Sequence, residues 1–82
     1  MESIVHIVLS RFLKNNMIDI IEAINGSEEH KNIIWSKLPP SILPFFMGAY
    51  IELSKLLENK NKIEAIELYD KYINKISNIE IK

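Results

Sequence analysis

Histidine, acidic and serine side chains are the residues of this chain that could catalyse a reaction or bind a metal ion. His6 and His30 are the only histidines, and they lack the i, i+4 spacing by which one helix offers two imidazoles to a zinc ion. Cysteine is absent, which excludes thiolate ligands, thiol nucleophiles and disulfides. We therefore expect no metal ion and no cofactor, with His6 at the edge of the core and His30 in a solvated first helical turn.

The acids and serines lack the neighbours that catalysis requires. A catalytic carboxylate needs an apolar pocket or a second carboxylate to shift its pKa, whereas the acids of this chain fall mostly at positions expected to be exposed beside lysines. No serine stands in a sequence pattern that would supply it with a general base or with a loop that forms an oxyanion hole. The two glycines, Gly26 and Gly48, are too few for a phosphate-binding loop. The sequence predicts that the protein is not an enzyme.

The segment 35–51 is more apolar than one face of a helix can be. Leu43, Met47 and Tyr50 recur at i, i+4 and i+7 and share a stripe, which is displaced from the neighbouring stripe that contains Phe46. The helix is either central in its bundle, with both stripes buried, or covered on one side by a partner. Aromatic and methionine side chains are enriched where proteins anchor partners. The candidate interface residues are Trp35, Leu43, Phe46, Met47 and Tyr50.

The elements that position these residues are predicted to be helices. Apolar residues recur at helical spacing in five segments, which cover approximately residues 2–14, 17–24, 28–37, 42–58 and 62–77. The β-branched run around His6 could also form a strand, but no second strand with hairpin signals is present to pair with it. The first two segments form two helices or one bent helix. The sequence thus predicts a single all-α domain over residues 1–82, a small four- to five-helix bundle that ends in an antiparallel helical hairpin.

Short polar motifs predict where the helices begin and end. Gly26 follows the second helix, because glycine accepts the left-handed conformation at a helix end without a side-chain penalty. Ser27 is expected to cap the third helix and Ser41 the fourth, each by accepting a hydrogen bond from a free backbone N–H group. Asn61 and Glu64 resemble a capping box for the fifth helix. The last residues, 78–82, are expected to fray.

Two predicted stripes form the core of the C-terminal hairpin. In the fourth helix the core face comprises Ile42, Phe45, Phe46, Ala49, Leu53, Leu56 and Leu57. In the fifth helix the buried stripe comprises Ile66, Tyr69, Ile73 and Ile76, flanked by Ile63, Ala65 and Tyr72. Both sets follow the spacing of one helical side. We expect the two stripes to face each other.

Composition indicates a small globular protein. Of its residues 48% are hydrophobic and sixteen are isoleucine, and the net charge of −1 gives no general attraction to nucleic-acid phosphates or anionic lipid. No apolar stretch is long enough to span a bilayer, and no signal-peptide pattern stands at the start. With the absence of cysteine, these features predict a cytoplasmic protein. The lack of Thr and Gln and the abundance of Ile, Lys, Asn and Glu suggest an archaeal or viral source with an AT-rich genome.

Residues 49–77 resemble one helical hairpin of a tetratricopeptide repeat. The resemblance rests on Ala65 followed four residues later by Tyr69, in a string Ile-Glu-Ala-Ile-Glu-Leu-Tyr that comes after a polar turn. The family uses a small and an aromatic residue at these positions to pack its two helices closely. Leu53 and Leu56 stand where the family usually has Gly and Tyr, and no proline closes the repeat. The resemblance implies binding of a peptide or a protein.

Excess apolar surface without a catalytic constellation points to a non-enzymatic protein–protein interaction module. The partner is expected to be another protein, as for an accessory subunit of a larger complex, or a second copy in a small homo-oligomer such as a homodimer. The alternative is a small nucleic-acid-associated factor, for example an accessory subunit of an archaeal or viral replication (DNA polymerase) or transcription complex. The second and third helices have a helix-turn-helix outline, but Glu28 and Glu29 would face the phosphates.

Overall fold

The computed structural model describes residues 4–81 of the chain, and the side chains of residues 4–77. The described residues form five α-helices and contain no strand: α1 Ile4–Asn15, α2 Met17–Ile24, α3 Glu28–Lys37, α4 Leu43–Leu56 and α5 Lys62–Ile81, with a 3-10 turn at Pro40–Ile42 before α4. The predicted all-α fold is confirmed, and the segment around His6 is helical. The predicted start of the first helix at residue 2 lies outside the described residues. α1 and α2 are separate helices, because the chain turns at Asn16.

Three of the predicted helix boundaries are confirmed in atomic detail. Gly26 adopts a left-handed φ of 104° after α2. The hydroxyl of Ser27 accepts a hydrogen bond from the backbone N–H of His30, at 3.3 Å, and so caps α3. At the start of α5 the backbone N–H of Glu64 donates to Asn61 Oδ1 at 2.8 Å, while the backbone N–H of Asn61 donates to Glu64 Oε1 at 3.4 Å. These reciprocal bonds form a capping box.

Other boundaries differ from the prediction. Ser41 does not cap the fourth helix, because it lies inside the 3-10 turn, and Ile42 precedes α4 without a side-chain hydrogen bond. α4 ends at Leu56, and the chain then turns through Asn59, whose φ is 61°. α5 does not end at residue 77 but continues to Ile81. The sequence after Ser77 contains neither glycine nor proline, so nothing in it stops the helix.

The central element of the bundle is α5, which packs against α1, α2 and α4. It is antiparallel to α1, since the hydroxyls of Ser10 and Ser77 are 3.3 Å apart and the Tyr69 hydroxyl donates to the Leu13 carbonyl at 2.6 Å. α5 also runs antiparallel to α4, and the two helices form the C-terminal hairpin. The Tyr72 hydroxyl of α5 donates a hydrogen bond to Glu52 Oε1 of α4. α4 therefore lies at one side of the bundle rather than at its centre.

One core joins the helices. Its largest fully buried side chains are Tyr69, Phe46, Leu13, Ile20, Ile21, Ile34, Ile42 and Leu53. Burial raises the pKa of Tyr69 well above its usual range, and its hydroxyl remains a hydrogen-bond donor to α1. The buried aromatic ring of Phe46 meets that of Phe12 edge-on, with 5.5 Å between the centroids. α1, α4 and α5 are thus tied together by aromatic side chains.

The predicted core faces of α4 and α5 are partly wrong. Phe45, Leu56 and Ile63 are exposed, although each was expected in or beside a buried stripe. Consecutive residues of a helix point about 100° apart, and the packing of α4 turns Phe46 toward the core and Phe45 toward solvent. In α5 the fully covered residues are Ala65, Tyr69 and Ile73, whereas Ile66 and Ile76 are only half-buried.

Candidate functional site

The two sides of α4 have opposite surroundings. Phe46, Ala49 and Leu53 point into the core and are buried. The other side carries large apolar residues whose exposed fractions are 40% for Leu43, 48% for Phe45, 38% for Met47 and 52% for Ile51. Gly48 is exposed among them. We call Leu43, Phe45, Met47, Gly48 and Ile51 the α4 outer face.

No charge interrupts the α4 outer face. Between Lys37 and Glu52 the sequence contains no Lys, Arg, Asp or Glu, although 26% of the whole chain is charged. A solvent-facing helix side normally carries charged or polar residues. Singly exposed apolar residues are common, whereas several exposed apolar residues on one helix side are less usual for a surface in contact with water.

Trp35 of α3 extends the outer face toward the neighbouring helix. Its side chain is 47% exposed, and its ring meets that of Phe46 edge-on, with 6.1 Å between the centroids. The ring of Phe46 also lies 5.8 Å from that of Tyr50, which is half-buried at the rim of the face. Phe46 itself has no exposed surface. Its place among the candidate surface residues is therefore corrected, since Phe46 is buried and contacts the rings of Trp35 and Tyr50 from the core side.

Charges of α3 border this aromatic group. Burial raises the pKa of the Tyr50 hydroxyl, the positive charge of Lys31 lowers it in part, and the negative charge of Glu28 adds to the increase. Lys31 and Glu28 pair with each other at 3.3 Å, one helical turn apart on the exposed side of α3. The apolar surface thus has a polar rim on its α3 side.

Of the predicted interface residues, the structure leaves Trp35, Leu43 and Met47 exposed and Tyr50 half-buried. Sequence reasoning did not assign Phe45, Gly48 and Ile51 to the surface. Phe45 was placed in the core because it follows the helical spacing of the predicted core face. The signal that could have found these residues is the long uncharged interval between Lys37 and Glu52, which is too long for a helix with one solvated side.

A shallow groove of about 340 Å³ runs along the Phe45 side of α4. Phe45 and Gly48 form one wall, and Leu9, Tyr72 and Ile76 of α1 and α5 contribute to the others. Burial raises the pKa of Tyr72 well above its usual range, and its hydrogen bond to Glu52 acts in the same direction. The groove adds apolar surface to one edge of the outer face.

A second cleft, of about 310 Å³, lies between α1 and α5 and has a different character. Arg11, Lys14, Asp70 and Asn74 line it together with the side chains of two isoleucines and two serines. The four named side chains are exposed to solvent. Charges of both signs that face water are well hydrated. Exposing this cleft to solvent therefore costs less free energy than exposing the apolar outer face of α4.

The loop between α2 and α3 brings a serine, a histidine and an aspartate together, which sequence reasoning missed. Ser27 Oγ lies 2.6 Å from His30 Nδ1, and His30 Nε2 lies 3.9 Å from Asp19 Oδ1. A serine beside an imidazole is the pair used in nucleophilic catalysis. Here Ser27 also caps α3 through the backbone of His30, and 3.9 Å is too long for a hydrogen bond that would orient the imidazole. The contacts fit a helix cap.

In the described residues, no three His, Asp or Glu side chains converge on one point. No helix among residues 4–81 combines the length and the apolar character that crossing a bilayer requires. Comparison with protein-family models, with curated proteins and with solved structures found no match to this chain.

Proposed function

We propose that the protein is a non-enzymatic binding module of the cytoplasm, which holds a protein partner on the α4 outer face and Trp35. The observation that carries the proposal is the exposure of this apolar, uncharged side of α4. At about 200 Å² for a full side chain, roughly 450 Å² of apolar side chain is exposed by Trp35, Leu43, Phe45, Met47 and Ile51. Patches of about 300–600 Å² are the largest on typical monomers and are often functional.

The chemistry of the surface agrees with that of protein interfaces. Their centres are enriched in Trp, Phe and Met and depleted of charge, and their rims are polar. Trp35, Phe45 and Met47 are side chains of these types on the exposed surface, and the Glu28–Lys31 pair and Glu52 border it. The string in α5 that resembles a tetratricopeptide repeat would also favour a protein partner, since that family binds peptides and proteins.

Binding of nucleic acid is less well supported by the charges. α2 and α3 pack together in the outline of a helix-turn-helix. Glu28 and Glu29 are exposed in the first turn of α3, at the end by which a recognition helix usually enters the groove. Their charges would repel the phosphates of DNA. The proposal therefore names a protein as the partner.

A photo-cross-linking experiment in the source organism tests the proposal. A photoreactive phenylalanine analogue is introduced at the position of Met47 or, as a matched control, at that of Glu67, which is exposed on α5. We expect a discrete protein adduct from position 47 and none from position 67, because only the first lies on the outer face. Equal cross-linking from both positions would contradict the proposal.

A charged variant adds a second readout. With the photoreactive residue at Leu43, Met47→Glu should remove the adduct, because the new carboxylate would be desolvated at the interface. Circular dichroism and a thermal melt of Met47→Glu should show a folded helical protein, because residue 47 is exposed to solvent in the monomer. A folded variant that still forms the adduct would exclude Met47 from the site.

A further inference from the structure

We infer that Asn25 is a site of spontaneous covalent modification, at which the side-chain amide is lost as ammonia and aspartate or isoaspartate is formed. In the first step the backbone nitrogen of Gly26 attacks Cγ of Asn25. A bond forms between these two atoms, the bond from Cγ to Nδ2 breaks, and Nδ2 leaves as ammonia with the proton of the Gly26 nitrogen. In the second step water adds to either carbonyl of the cyclic succinimide and opens it. The inference is independent of the proposed function.

Asn25 is the one asparagine of the chain that precedes a glycine. The chain contains eight asparagines and no glutamine, and each of the other seven asparagines precedes a residue with a side chain. A Cβ atom on the following residue hinders the approach of the backbone nitrogen to the asparagine side chain, and glycine lacks this atom. The sequence therefore favours Asn25 over every other amide side chain of the protein.

The structure leaves the side chain of Asn25 free to react. Asn25 directly follows α2 in an exposed turn, and its side chain forms no hydrogen bond within the part of the chain that the structure describes. By contrast, the side-chain amide of Asn16 donates to the Phe12 carbonyl at 2.9 Å, and Asn61 Oδ1 accepts from the backbone N–H of Glu64 at 2.8 Å. These bonds hold the side chains of Asn16 and Asn61 away from the backbone nitrogen that follows each of them.

The helices protect further asparagines. Asn15, Asn32 and Asn74 belong to α1, α3 and α5, where regular dihedral angles and backbone hydrogen bonds restrict rotation. Asn59 lies in the turn between α4 and α5 with a φ of 61°, and it is followed by Lys60. Asn59 is therefore the matched control for Asn25, because both are exposed turn residues and only one precedes a glycine.

The turn must open locally before the attack. The Gly26 N–H donates to the Ala23 carbonyl at 3.0 Å, the Ser27 N–H donates to the Glu22 carbonyl at 3.1 Å, and ψ of Asn25 is 6°. The attack requires a rotation about ψ that breaks both bonds. Helix ends fray, and such local opening does not require the core to unfold. We therefore expect the reaction in the folded protein, at a lower rate than in the unfolded chain.

The product changes the connection between α2 and α3. Isoaspartate adds one methylene group to the backbone between these helices, which pack against each other. Either product also places a carboxylate at the C-terminal end of α2, where the helix dipole disfavours negative charge. α3 contains the buried Ile34 and the exposed Trp35. Modification at Asn25 should therefore loosen the helix that holds Trp35 at the candidate surface.

Incubation of the folded full chain at slightly alkaline pH tests the inference. The wild type is compared with Asn25→Gln, whose longer side chain does not cyclise readily, and with Asn59→Gln as the control. Peptide mass spectrometry locates each amide that has become an acid, and labelling by an isoaspartyl methyltransferase measures isoaspartate. We expect conversion at position 25 of the wild type and of Asn59→Gln to be at least about tenfold faster than at any other asparagine. Asn25→Gln should release ammonia at least about tenfold more slowly than the wild type.

Thermal melts measure the consequence for α2 and α3. The variant Asn25→Asp carries the new charge without the longer backbone, so it separates the two effects. We expect the isoaspartate form, isolated from aged wild type, to melt about 4 °C or more below Asn25→Asp. Equal melting temperatures would contradict the loosening of α3.

Three results of the incubation would overturn the inference itself. The first is equal release of ammonia by the wild type and Asn25→Gln, and the second is faster conversion at another asparagine. The third is aspartate without isoaspartate at position 25, because a succinimide opens at both of its carbonyls and direct hydrolysis of the amide does not form isoaspartate.

Discussion

α4 and α5 form one hairpin, yet their solvent-facing sides differ. α5 covers its inner stripe and presents Glu67, Asp70, Lys71, Asn74 and Lys75 to water. α4 also covers an inner stripe, but its outer side presents leucine, phenylalanine, methionine and isoleucine. Packing in the core explains why both inner stripes are apolar, and contact with water explains why the outer side of α5 is polar. None of the side chains that the structure describes covers the outer side of α4, and this difference supports the proposal of a partner there.

The difference is confined to the first part of α4. After Ile51 charged residues enter the exposed positions, with Glu52 and Lys55, although Leu56 is also exposed. Ser54 donates a hydrogen bond from its side chain to the Tyr50 carbonyl at 2.8 Å. The change from apolar to polar within one exposed helix side gives the surface an edge. A bounded apolar patch with a polar border is the arrangement found at protein interfaces.

The largest expected effect contrasts the two sides of α4. Phe46→Ala should lower the free energy of unfolding by about 3–5 kcal/mol, because it removes a buried ring that contacts Phe12, Trp35 and Tyr50. Met47→Ala should lower it by less than about 1 kcal/mol, because Met47 is exposed. Urea unfolding followed by circular dichroism, at a protein concentration low enough to keep the chain monomeric, measures both values. Similar losses for the two variants would remove the distinction between the sides.

A smaller effect contrasts the inner side of α5 with the outer side of α4. Ala65→Leu should lower the free energy of unfolding by about 1–3 kcal/mol, because Ala65 is buried in the core and a larger side chain there would overpack it. Gly48→Leu should cause no such loss, because a Cβ added at this exposed position would meet no described atom within 4 Å and leucine has the higher helix propensity. Urea unfolding of the two variants provides the measurement. A fully stable Ala65→Leu variant would show that the α5 contact is looser than its burial indicates.

The smallest effect concerns the tyrosine that fixes α5 to α1. Tyr69→Phe removes the 2.6 Å hydrogen bond to the Leu13 carbonyl and should lower the free energy of unfolding by about 1 kcal/mol at neutral pH. Since burial raises the pKa of Tyr69 above its value in the unfolded chain, the folded state retains this proton when the unfolded state loses it. Stability from this group is therefore fully present below about pH 10 and is lost as the pH rises further.

Urea unfolding between about pH 8 and pH 11 isolates this contribution. The wild type should lose up to about 1.4 kcal/mol more per pH unit above pH 10 than Tyr69→Phe does. Tyr72, whose pKa is also raised by burial and by Glu52, remains in both proteins and serves as an internal control. Parallel curves for the two proteins would contradict the assignment of Tyr69 as a buried donor.

Local features of the fold were predictable from the sequence. The start of α3 at Glu28 follows from Ser27, and the start of α5 follows from the Asn61–Glu64 box, because a cap satisfies backbone groups only a few residues away. The missed contact between Ser27 and His30 also lies within one turn. It was overlooked because a histidine three residues after a cap was judged as a solvated residue rather than as a partner of the serine.

The candidate surface was only partly predictable. The stripe of Leu43 and Met47 follows from helical periodicity, and its excess over one core face indicated a second apolar side. Periodicity alone could not decide whether Phe45 or Phe46 faces the core, nor whether α4 or α5 is the central helix. Both questions depend on which helices meet.

By itself, the sequence determined an all-helical chain, most of its helix ends and a surplus of apolar residues around α4. These are properties of caps, turns and spacing, which act within a few residues of one another. Only the tertiary structure decided that α5 is central, that Phe46 lies beneath Trp35, and that Phe45 and Ile51 remain exposed. The physical reason is that burial is assigned by contacts between distant residues, such as Leu13 and Tyr69. Such contacts cover whichever stripe meets a neighbouring helix and leave the other stripe to solvent or to a partner.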